Sequence, residues 1–111
     1  MKMIDYTKGR MVAYPTKSDK ELGEAFTHLR DQKEVLAFLR DLLTSAEIGE
    51  FSQRFQIAKL LWTTTLPYLA IAEKVGTSTT TVTRVAQWLF KEKWSGYGTV
   101  LERMFGAVRR K

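Results

Sequence analysis

The chain has 111 residues, 44% hydrophobic and 27% charged, with a formal net charge of +6. That length fits one domain with a modest core and leaves little room for a deep enzyme cleft. With no cysteine, disulfide and thiolate chemistry are excluded, as befits a reducing cytoplasm; with no apolar h-region and no long apolar run, a cytoplasmic, membrane-free chain is expected. The charge is unevenly placed: residues 1–20 carry +3, residues 21–65 carry −2 and residues 66–111 carry +5. Positive ends around a slightly acidic centre point to a polyanionic partner.

Taken in order, residues 1–17 show little periodicity and are expected to form an arm, followed by a single helical domain over 18–111. Helix starts are marked by "SDKE" at Ser18–Glu21, "DQKE" at Asp31–Glu34, "TSAE" at Thr44–Glu47 and "TVLE" at Thr99–Glu102. Each places a capping side chain three residues before a glutamate, the spacing at which both can satisfy free backbone N–H groups. These signals predict helices over about 19–29, 32–42, 45–63, 66–75, 78–92 and 99–108. Leu36, Leu39 and Leu43 give the second helix an apolar stripe. Ile48, Phe51, Phe55, Ala58 and Trp62 do the same on the third. "TTTLP" (Thr63–Pro67) and "WSGYG" (Trp94–Gly98) are read as connections, and no strand-like alternation persists. The fold class expected is all-α, with about six short helices.

The segment "YLAIAEKVGTSTTTVTRVAQ", Tyr68–Gln87, places Ala72, Gly76 and Val82 at the fifth, ninth and fifteenth positions of a twenty-residue frame. That is helix-turn-helix spacing, within about residues 66–92. A small residue at Ala72 lets two helices cross closely, and Gly76 supplies the positive φ of a tight turn. Ile71, Val75, Val82 and Val85 are the apolar positions expected to lock the pair. An ordinary αα-corner would share some of these features but not all of them in register.

Six hydroxyl residues occupy the seven positions Thr77–Thr83. β-Branched threonine is a mediocre helix former, so their concentration on one helix calls for a reason. In the helix-turn-helix frame the second helix exposes Ser78, Thr79, Thr80, Thr83, Arg84 and Gln87. Hydroxyls donate to or accept from phosphates and base edges, and a threonine methyl can meet a thymine methyl. Thr79, Thr80 and Thr83 are therefore candidates for reading bases. Ser78, Arg84 and Gln87 divide between bases and phosphates, and Lys74, Lys91 and Lys93 add affinity that weakens with salt.

From Leu43 to Gln87 the chain resembles the Trp repressor family without a gap, through "LTSAE", "QRFQIAKLL" and "AEKVGTSTTTVTR". With "KEVLAFLRDLLT" before and "GYGTVLERMF" after, the resemblance extends over about residues 18–105, to the YerC/YecD-type Trp-repressor-like branch. It implies an intertwined all-α homodimer, a bacterial regulator presenting two recognition helices to a palindromic operator. It also implies an effector pocket, with Thr44, Arg54 and Arg84 at family positions. There the family's glycine is replaced by Val85 and its serine by Trp88, two larger residues that argue against L-tryptophan as a cofactor. The arrangement implied is a chain that works without a ligand or with another small molecule.

No cluster of Asp, Glu or His has metal-ligand spacing, and His28 is the only histidine. The glycines are too scattered for a phosphate loop, and no residue set supports catalysis. The sequence thus points to a non-enzymatic regulator, a repressor, binding double-stranded DNA as a homodimer. Two alternatives belong to other classes: a module docking a partner helix, and an accessory protein binding nucleic acid without sequence preference.

Overall fold

A computed structural model of the chain describes residues 2–5 and 10–110, with side chains described from residue 13 onward. Six helices carry the all-α fold: α1 (Lys17–Thr27), α2 (Gln32–Leu42), α3 (Ser45–Thr63), α4 (Tyr68–Val75), α5 (Thr79–Phe90) and α6 (Gly96–Phe105). Two short strands precede them, β1 (Lys2–Asp5) and β2 (Arg10–Ala13), antiparallel with Lys2 opposite Ala13 and Asp5 opposite Arg10. The strand-free expectation is corrected by this hairpin. Its signal was present but weak: each run holds a β-branched residue, Ile4 or Val12, and the four intervening residues include Gly9.

The helix starts follow side-chain chemistry, with two shifts from the sequence expectation. Thr16, not Ser18, caps α1: its Oγ1 accepts from the Asp19 N–H at 3.1 Å, and the Thr16 N–H donates to Asp19 Oδ2 at 2.8 Å. Asp31 caps α2 as expected, accepting from the Glu34 N–H at 2.9 Å, but Glu34 Oε1 accepts from Arg30 N–H instead of the cap's own. In α6 the helix starts at Gly96, so "TVLE" lies inside it, and Thr99 Oγ1 donates to Ser95 O at 2.9 Å. The glycines of "WSGYG" suggested a connection. Gly98 instead faces the Trp62 ring, where a Cβ would sit 3.7 Å from the ring carbons.

By its contacts the chain forms two compact units, Met1–Thr44 and Ser45–Lys111. In the first, neither α1 nor α2 contains a buried residue. Phe26 and Phe38 meet edge to face with centroids 5.1 Å apart.

The second unit holds the core. Ile57, Ala58 and Leu61 of α3, Ile71 and Ala72 of α4, Val82, Val85, Ala86 and Leu89 of α5, and Leu101 of α6 are buried together. Each large aliphatic side chain so buried contributes roughly 1.5–3 kcal/mol. The expected α3 stripe is only partly followed: Ala58 is buried and Phe55 and Trp62 are half-buried, whereas Phe51 is 47% exposed. Apolar residues lie on more than one side of this helix, so no single spacing identified the buried face.

Candidate nucleic-acid interface

The corner between α4 and α5 is built by Gly76. Its φ of 83° and ψ of 43° are left-handed, and the N–H groups of Gly76 and Thr77 both donate to Ala72 O at 2.9 Å. This closes the α4 carbonyls and turns the chain within three residues. Space does not demand the glycine, because a Cβ there would meet nothing within 4 Å; the backbone conformation does. Ser78 then starts α5, its Oγ accepting from the Thr81 N–H at 3.2 Å and lying 3.1 Å from Thr81 Oγ1.

The two helices share the core through Ile71, Ala72, Val82, Val85 and Ala86, with Val75 packed at its edge. The apolar residues expected to lock the pair therefore meet. Burying Val82, Val85, Ala86 and Leu89 fixes the rotation of α5 and sends its other face outward. Thr79, Thr80, Thr83, Arg84, Gln87 and Lys91 are all exposed on that face, with Ser78 exposed at its start and Lys74 exposed at the end of α4.

The hydroxyls on this face are not equivalent. Thr83 Oγ1 donates to Thr79 O at 2.9 Å, so its proton is committed while the exposed residue keeps oxygen lone pairs that can accept. Such a group accepts from an amino group on a base edge and offers a methyl contact. The Ser78 hydroxyl is engaged in capping, which limits it to sharing. A stripe at three-residue spacing on α3, Gln53, Gln56 and Lys59, joins Lys74 around an open groove of about 480 Å³. The sequence pattern alone does not group these residues with the interface, although their polar spacing is legible.

The residues assigned to an effector pocket differ in burial. Thr44 belongs to the first unit and is exposed. Arg84 lies on the outward face of α5, and Val85 is fully buried in the core. Arg54 and Trp88 do meet: the guanidinium carbon lies 5.3 Å from the Trp88 ring centroid and 5.6 Å from that of Phe51. Burial raises the pKa of the nearby Tyr97 phenol above its ordinary value, and the Arg54 charge opposes that shift. Among the described residues no group of three or more His, Cys, Asp or Glu could hold a metal ion, and no helix is long and apolar enough to cross a membrane.

A short helix, a left-handed glycine turn and a hydroxyl-bearing second helix on a shared core define a helix-turn-helix protein of the all-α class. The Trp repressor protein family model matches residues 17–105, and the chain belongs to that family. A TrpR-like protein from Eubacterium eligens ATCC 27750 is 39% identical with a TM-score of 0.71, over 81% of this chain and 91% of that one. A protein provisionally described as a Trp repressor from Staphylococcus aureus is 32% identical with a TM-score of 0.74, over 84% of this chain and 91% of that one. No curated protein matches the chain. The family is one of DNA-binding regulators without enzymatic activity.

Proposed function

We infer that this chain is a sequence-specific DNA-binding transcriptional regulator, a repressor that binds a palindromic operator as a homodimer in the cytoplasm. The observation carrying this reading is the division of α5: Val82, Val85, Ala86 and Leu89 are buried, while Thr79, Thr80, Thr83, Arg84 and Gln87 are exposed together. Thr79, Thr80 and Thr83 read base edges in the major groove, and Lys74, Lys91 and Arg84 neutralise phosphates.

The dimer is supported by the first unit. Leu22, Phe26, Leu36 and Leu42 remain exposed there, and a pair of helices with no buried residue has too little hydrophobic stabilisation to hold itself folded. A second copy covering these faces supplies it. The effector reading is that L-tryptophan is not the ligand, because Val85 fills core and the Trp88 indole already stands against Arg54.

Duplex-binding titrations at several salt concentrations test the function. Thr83→Ala is expected to reduce discrimination between operator and scrambled DNA, whereas Lys91→Ala lowers the salt slope by about one and weakens both duplexes alike. Equal losses on both duplexes for both variants would contradict the assignment of Thr83 to base reading.

A further inference from the structure

The C-terminal residues after α6 carry two arginines, Arg109 and Arg110, that bond back onto the second unit. Trp62 Nε1 donates to Gly106 O at 2.8 Å, and the Arg109 N–H donates to Trp62 O at 2.9 Å. Arg110 Nε donates to Leu61 O at 3.2 Å, and its Nη2 donates to Leu66 O. The Arg110 guanidinium carbon also lies 5.9 Å from the Tyr68 ring centroid.

These contacts meet at the corner between α3 and α4. Leu61 and Trp62 are in the last turn of α3, where carbonyls lack helical partners, and a cation there is favoured by the helix dipole. Leu66 lies two residues before α4, and Tyr68 is the first residue of that helix. α4 has eight residues and begins after Pro67 with no side-chain capping bond. Its entry is thus held by Arg110 reaching from one helix end across to the next. A planar guanidinium can donate to two carbonyls and stack on a ring at once; an ammonium on a lysine stem cannot reproduce that fork.

We propose that residues 106–110 form a clasp that fixes α4 on α3, and that Arg110 is a positioning residue for the DNA-reading pair. This rests on the proposed function for its DNA consequence, but not for its mechanical one. Because α4 is the support against which α5 is set, loosening its entry changes the pose of α5 without altering any side chain on the reading face.

The experiment uses the full-length protein with Arg110→Lys and Arg110→Ala, in two arms. Amide hydrogen exchange is measured on the free protein, and affinity is measured for a duplex selected from a random library and for its scrambled counterpart. In both variants exchange is expected to accelerate about tenfold or more at Thr64 and Ile71, whose N–H groups donate to Leu60 O and Pro67 O, with α5 protection retained. Affinity for the selected duplex falls about tenfold while scrambled-duplex affinity changes much less. A uniform acceleration through α3, α4 and α5 would overturn positioning in favour of general stabilisation, as would full rescue by lysine. Unchanged exchange at α4 would overturn the clasp itself. If no duplex is selected at all while α4 exchange rises as expected, the clasp stands and the DNA reading fails.

Discussion

Single residues set the geometry of the reading helix. Gly76 holds a backbone shape that costs an L-residue about 1–2 kcal/mol, so Gly76→Ala should destabilise the chain by about that amount in urea unfolding, although nothing crowds the new methyl. Ser78→Ala should cost about 1 kcal/mol through loss of the cap on the Thr81 N–H. Tyr97 gives a pH test. Burial favours its protonated form, so the folded chain holds that proton more tightly than the unfolded chain. Its contribution is complete below the unfolded pKa of about 10 and is lost as pH rises through the folded value, so Tyr97→Phe should flatten the alkaline fall in stability. Denaturant midpoints between neutral pH and pH about 11 would show it, and an unchanged alkaline limb in the variant would contradict it.

At the scale of elements, how much was legible depended on whether the signal was local. α2 and α3 start and stop where expected, at Gln32–Leu42 and Ser45–Thr63, because Asp31 and the residues around Thr44 announce them within four positions. The α4–α5 pair was legible because Ala72, Gly76 and Val82 each answer a steric requirement of one short motif. The start of α6 was not. Gly96 and Gly98 imitate a loop, and the Trp62 ring beside Gly98 is thirty-six residues away, a neighbour no local pattern announces, with which a Cβ would make only ordinary contact. The Arg110 clasp was hidden for the same reason: its acceptors are backbone carbonyls of Leu61 and Leu66, which leave no side-chain signature. Of the site, the exposed hydroxyl face followed from helical periodicity, while the Gln53–Lys59 edge required knowing which side of α3 borders Lys74.

For the whole molecule, the contrast between the units matters most. The second buries ten residues in one apolar cluster, and the helices of the first bury none. A chain with this division should gain stability by self-association, so its Tm should rise with protein concentration, and light scattering should give twice the chain mass. A monomer mass with a concentration-independent Tm would remove the support for the homodimer. The burial of Val85 and the contact between Arg54 and Trp88 bear on regulation at the same scale. Calorimetric titration with L-tryptophan should show no tight binding, and a saturable isotherm in the micromolar range or below would overturn the reading that L-tryptophan is not the ligand.

The most direct test of the account is selection of binding sites from random duplex DNA by the purified protein, repeated with Thr79, Thr80 and Thr83 all changed to alanine. The account predicts that the natural chain enriches an inverted repeat and that the triple variant loses that preference while keeping salt-sensitive binding to DNA in general. Failure of the natural chain to enrich any sequence, or enrichment of the same repeat by the variant, would show that the exposed face of α5 does not read DNA.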